Sequence, residues 1–218
     1  MLEYFLYFVA FLSALLVALP VHEWAHAFVA YKNGDPTAKT LGRMTLAPLA
    51  HIDLWGFFCL IFLGFGWAKP VPVDLRNFKN AKKSNFWVSI AGILANFITG
   101  IIFIIISSAL NTFVPDYAIS WGYYGYMLSI FLETVISFNF VLAFFNLLPI
   151  YPLDGFRIVE NFTKPNNGFV TFMRKYSSII LIVLIVFTYV IDVYLSFTAG
   201  NLVNIITNFF NWLFALMV

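Results

Sequence analysis

The stretch VHEWAH, residues 21–26, sets two histidines four positions apart with a glutamate beside the first. On an α-helix positions i and i+4 share a face, so His22 and His26 can aim both imidazoles at one zinc ion. Glu23 then stands where it can take a proton from a water on the metal. A catalytic zinc usually has three protein ligands and keeps its fourth position open, so a third donor must come from elsewhere in the chain. His51, the remaining histidine, lies in APLAHIDLWG and is one candidate. Asp154 in FNLLPIYPLDG is the better placed, because Pro149 and Pro152 stop the helix before it and set it on unwound backbone. At membrane depth such backbone is tolerated only inside protein or beside a watered cavity.

The elements that must position these groups are apolar. Of 218 residues, 62% are hydrophobic and 10% charged, whereas a soluble domain carries about 25% charged residues. Composition therefore predicts an all-α polytopic protein of the membrane. Segments 4–31, 86–110, 126–150, 177–197 and 201–218 approach the roughly 20 apolar residues that a crossing needs. The first lacks the basic leader of a secretory signal, since residues 1–4 hold Glu3 and neither Lys nor Arg, and is expected to stay as a permanent helix. Segment 54–68, LWGFFCLIFLGFGWA, is short and carries three glycines, which predicts a sixth, tilted span or a re-entrant or β-like loop. Since no linker, repeat or low-complexity tract divides the chain, one membrane domain is expected over 1–218. Its core is 1–160, with two accessory helices in 177–218.

Charge orients these elements. Every Lys and Arg falls in 32–43, 69–83 or 157–175, while the intervening ends carry Glu3, Asp116 and Asp192. The positive-inside rule makes all three basic segments cytoplasmic. Segment 54–68 then enters and leaves on one side, and five crossings put the N-terminus outside and the C-terminus in the cytoplasm. Two crossings separate His26 from Asp154, which returns the chain to the face where the histidines lie. The basic loops are first of all topology signals, so no nucleic-acid partner is expected.

HEWAH together with NLLPIYPLDG resembles the site-2 protease family, zinc metalloproteases that cut transmembrane helices within the bilayer. GRMTLAPLAHIDLWG, FGWAKPVPV and AGILAN are similar to its short-chain branch without a PDZ domain. The resemblance implies one zinc per chain held by His22, His26 and Asp154, with Glu23 as catalytic base and Asn146 in a supporting role at the reacting carbonyl. It also implies transmembrane protein substrates, regulated intramembrane proteolysis and a multi-pass place in a prokaryotic cell membrane. Two departures stand out: Ile93 where relatives often have proline, and a short run between His51 and FGWAKP.

The remaining polar residues predict less. Asn96 and Asn139 suit interhelical hydrogen bonding. Glu133, in the outer half of its helix, suits a structural partner or a neutral state. His51 and Asp53 suit ordering of their loop, and Asn146 lies about two turns up the helix that leads to Asp154. Region 39–53 offers edge strands that could hold an extended substrate, although its alternation is poor. Cys59 is a small packed residue. A metal transporter would need ligands spread across the bilayer, and a catalytically silent scaffold would need neither Glu23 nor the three ligands together. Substrate identity and oligomeric state leave no mark on the sequence.

Overall fold

The structure is a computed structural model describing residues 1–63, 66–164, 166–186 and 193–217. Among the described residues nine α-helices are named in chain order: α1 (Leu2–Lys32), α2 (Thr37–Thr40), α3 (Leu54–Leu63), α4 (Ala81–Phe113), α5 (Tyr117–Ser120), α6 (Gly122–Asn146), α7 (Asp154–Phe162), α8 (Gly168–Val186) and α9 (Asn201–Ala215). Among the described residues three helices, α1, α4 and α6, are long and apolar enough to cross a membrane. Each is apolar around most of its circumference, as a helix must be when lipid covers what its neighbours do not. Their mutual contact is made by small and aromatic residues: Ala14 and Ala18 are fully buried, Phe11 meets Phe138 edge-on, and Phe97 meets Phe140.

Local chemistry sets the ends of these helices. α4 begins where Asn80 caps it by accepting the Lys83 N–H at 3.1 Å. α1 ends at Asn33, whose amide turns back to the Val29 carbonyl and whose Oδ1 accepts from Ser84 at the start of α4. α6 ends at Asn146, ahead of Pro149 and Pro152. Asp154 is therefore not on unwound backbone as expected. The irregular piece is 147–153, and Asp154 is the first residue of α7, after Leu153 in an extended conformation. Nor do Asn146 and Asp154 share a helix.

Region 39–53 holds a short helix, turns and a 3-10 turn, Pro48–Ala50, so the strands expected there do not form. Among the described residues the one bridge pairs Ile52 with Ala68 in antiparallel sense, reinforced by Lys69 N–H donating to the His51 carbonyl at 2.8 Å. The chain thus enters and leaves α3 at one place, with Trp55 and Phe62 exposed on it.

Behind α4 and α6, the wider turn Ser196–Gly200 leads into α9. The Tyr194 hydroxyl reaches the Phe144 carbonyl, and Phe214 packs on Phe113. α9 therefore runs from the Asn146 end of α6 towards the far end of α4, where Tyr7 of α1 meets Tyr126. The charge count had put the two chain ends on opposite faces, yet Phe214 lies at the end of the bundle where α1 begins. No Lys or Arg follows Lys175, so charge carried no information about this part of the chain. The expected span 177–197 falls partly outside the described residues.

Candidate metal centre

α1 presents His22 and His26 one turn apart, and α7 brings Asp154 across to them. Nε2 of His22 and Nε2 of His26 lie 3.0 Å apart, and Asp154 Oδ2 stands 3.2 and 3.1 Å from them. All three residues are buried. The protons are fixed by what lies behind the rings. Asn96 Nδ2 donates to the Ala18 carbonyl and to Asn139 Oδ1, so its Oδ1 must face His22, whose Nδ1–H donates to it at 2.6 Å. His26 Nδ1–H donates to the Val88 carbonyl at 2.7 Å, a group that can only accept. In each neutral ring Nε2 is then the unprotonated nitrogen.

Two nitrogen lone pairs and a carboxylate oxygen thus converge with no proton between them, and Asp154 Oδ2 is buried without a hydrogen-bond partner. Such a set repels itself unless a cation sits among the three atoms. These are the only three His, Cys, Asp or Glu side chains among the described residues that group in this way. Tetrahedral zinc with bonds of about 2.0–2.1 Å would set its ligands roughly 3.3 Å apart, close to what is found.

Two glycines make room. A Cβ on Gly92 of α4 would lie 2.5 Å from His26 Nε2 and 2.7 Å from His22 Nε2, so any side chain there would fill the space that the donors enclose. A Cβ on Gly155 would lie 2.2 Å from the Leu147 carbonyl oxygen, so α7 can start against the end of α6 only with glycine after Asp154.

A cleft of about 120 Å³ opens beside the three donors and is also lined by Glu23, Val71, Asn146, Pro152 and Arg157. Glu23 Oε2 accepts the Val71 N–H at 2.8 Å, which ties the base candidate to segment 66–74. That segment is anchored in turn by Asp35. Fully buried just after α1, Asp35 accepts from the Asp74 N–H at 2.8 Å, Asn77 Nδ2 at 2.7 Å, and both the N–H and hydroxyl of Thr37. Burial pushes its carboxyl up, and these donors more than reverse the shift, leaving it below its ordinary value.

The predicted set therefore divides. His22, His26 and Asp154 meet, with Glu23 and Asn146 on the same cleft. Asn146 spends its amide on the Leu142 carbonyl at 3.0 Å. His51 is not with them; its Nε2 faces the Thr45 carbonyl, and Asp53 caps α3 at the Gly56 N–H. Glu133 is exposed on α6.

A model of peptidase family M50 matches residues 10–124 and 122–191. The chain belongs to peptidase family M50. Relatives of this M50 chain include YwhC of Bacillus subtilis (strain 168), provisionally named a zinc metalloprotease, 41% identical over 79% of this chain and 78% of its own. Rip2 of Mycolicibacterium smegmatis, named in the same provisional way, is 25% identical over 86% of this chain and 70% of its own. Zinc metalloprotease MJ0392 of Methanocaldococcus jannaschii is 26% identical over 71% of this chain, which spans only 34% of that protein. No solved structure matches.

Four contributors to the M50 centre were not singled out from sequence: the Val88 carbonyl, the Val71 N–H, Gly92 and Asp35. The first two are backbone groups and leave no trace in residue identity. Gly92 was within reach, since a glycine in AGILAN marks a place where two helices approach closely.

Proposed function

We propose that this M50 peptidase is a zinc enzyme hydrolysing peptide bonds of membrane-embedded segments, with His22, His26 and Asp154 holding the metal and Glu23 as the base. One observation carries the proposal: three acceptor atoms converge within 3.2 Å, and one of them, Asp154 Oδ2, has no hydrogen-bond donor. The names of the relatives agree with zinc. Support for a membrane-embedded substrate comes from α1 and α6, two of the three apolar helices, which carry or flank the cleft. The adjacent Lys32, Lys69 and Arg157 support a cleft near the cytoplasmic face, with α1 starting outside. The pairing of Ile52 with Ala68 favours a re-entrant α3 segment over a span.

Zinc, when bound, polarises the scissile carbonyl and lowers the pKa of a water towards about 7. Glu23, held at Oε2 by the Val71 N–H, takes the proton from that water and returns it to the leaving amine. The Asn96 and Val88 acceptors hold a proton on each Nδ1 and so turn both Nε2 lone pairs towards the metal position. Asn146 lines the same cleft, and the second N–H of its amide, beyond the one given to the Leu142 carbonyl, is the donor offered to the carbonyl oxygen of the substrate. A helical substrate hides its carbonyls in its own hydrogen bonds, so segments that unwind at Gly, Pro or Asn are the ones cut. Release of such fragments is the chemical step of regulated intramembrane proteolysis.

The test is a comparison of membrane fractions carrying wild-type chain or Glu23→Gln. Gln keeps the acceptor for the Val71 N–H but cannot take the proton, so single-span fragments should vanish while bound zinc stays equimolar. Equal cleavage by Glu23→Gln would exclude Glu23 as the base.

A further inference from the structure

One helical turn farther into the bundle than the metal donors lies a second cavity, also about 120 Å³. Leu15 and Leu19 of α1, Phe138 and Leu142 of α6, and Phe57 and Trp67 on either side of the Ile52–Ala68 pair wall it. Leu19 is four residues before Glu23, and Leu142 four before Asn146, so the same two helix faces line both cavities. Four residues of helix advance about 6 Å. An extended peptide covers that distance in about two residues and returns its side chain to the same face.

We propose that this second cavity is a specificity pocket. It takes the apolar side chain two positions from the cleaved bond, on the side towards the bilayer centre. The inference rests on the function proposed above and names what the substrate must carry.

Size and polarity set the preference. An apolar cavity of about 150 Å³ holds benzene, so this one suits a Leu, Ile, Met or Phe side chain and excludes the indole of Trp. Its polar neighbours are turned to their own backbone: His51 Nε2 donates to the Thr45 carbonyl, and Asp53 Oδ1 accepts the Gly56 N–H. The one charged group in the lining is the Asp53 carboxylate, so an acidic side chain would be buried there without a partner, at a heavy cost. His51 Nδ1 is buried and lacks a hydrogen-bond partner; with the proton on Nε2 it is an acceptor. A peptide carries N–H groups that could meet this need, whereas a lipid acyl chain has none, and on that ground a peptide is the occupant.

The experiment uses the 218-residue chain in phospholipid vesicles and a library of single-span peptides. Each peptide carries an Asn-Gly break near its cytoplasmic end, and the residues around the break are randomised. Fragments absent from a parallel Glu23→Gln sample define the cuts. Leu, Ile, Met or Phe should be enriched tenfold or more over Gly, Trp and Asp at the stated position, the scale of one group in an apolar pocket. Leu142→Trp, which fills the cavity, should shift the preference to Gly and Ala by a similar factor. A flat profile, or a preference unchanged in Leu142→Trp, overturns the pocket.

A second measurement does not depend on cleavage. A phenyl diazirine photolysed in vesicles with Glu23→Gln protein should label Leu19, Phe57 or Leu142, and this labelling should be lost in Leu142→Trp and reduced by a bound library peptide. No label at these residues, or equal displacement by a saturated fatty acid, overturns the proposal. If wild-type chain releases no fragment beyond those of Glu23→Gln, the protease function fails, and the labelling still decides the cavity.

Discussion

Alanine at position 92 is expected to weaken the metal centre sharply without replacing a ligand. The new Cβ would stand 2.5 Å from His26 Nε2 and 2.7 Å from His22 Nε2, against ordinary contact from 3.4 Å, so the rings must retreat by about 0.9 and 0.7 Å. Metal bonds tolerate errors of about 0.2 Å. Retreat is blocked behind, because His22 Nδ1 already sits 2.6 Å from Asn96 and His26 Nδ1 2.7 Å from the Val88 carbonyl. Helix propensity alone points the other way, since Gly to Ala inside a helix is worth about 1 kcal/mol in favour of alanine. The two effects can be read separately. Zinc affinity of Gly92→Ala, measured by chelator competition on purified protein, should fall by about 100-fold or more, the upper range for loss of a ligand's supporting partner. Helix content by circular dichroism should persist. Equimolar zinc bound with wild-type affinity would refute the convergence of donors on the space in front of Gly92.

Three further outcomes follow from the same geometry. Asn96→Ala releases His22 Nδ1 and leaves Asn139 Oδ1 without its donor, so zinc affinity should drop about 10–100-fold, again by chelator competition. Asp154→Ala should abolish stoichiometric zinc while His51→Ala retains it; elemental analysis giving the reverse result would make His51 the third ligand. Asp35→Ala strands the Thr37 and Asp74 N–H donors and should cost roughly 3 kcal/mol at neutral pH, at about 1–3 for each orphaned donor. Because the folded Asp35 carboxyl is held below its unfolded value, its contribution is complete above about pH 4 and is lost as pH falls through the lower folded value. Thermal melts of wild type and Asp35→Ala should therefore differ at pH 7 and draw together on acidification below pH 4.

Side-chain chemistry with a fixed period was legible in the sequence. HExxH states its own geometry once a helix is granted, and Asp154 could be paired with it because Lys and Arg counts bring both to one face. The three long apolar helices were legible for the same reason: lipid imposes a length and a polarity that composition records. What escaped was whatever depends on backbone or on absence of charge. The Val88 carbonyl and Val71 N–H have no residue signature. Asp35 anchors the strip that holds Glu23 through partners 39 and 42 residues farther along the chain, which its identity alone does not announce. The course of α9 could not be found from basic residues, since its part of the chain has none.

The hydrogen bond from Asn96 to Asn139 has a consequence for motion. From His22 one can pass through Asn96 to Asn139, down α6 to Asn146, around 147–153 to Asp154, and back to His22. This is a closed circuit through four helices, α1, α4, α6 and α7, and when a metal joins its ends no helix in it can slide without breaking a link. A peptide the width of a helix cannot be let in by parting α1 from α6. The described residues on either side of the Ile52–Ala68 pair, 52–63 and 66–68, lie outside the circuit, so none of its links restrains that part of the wall.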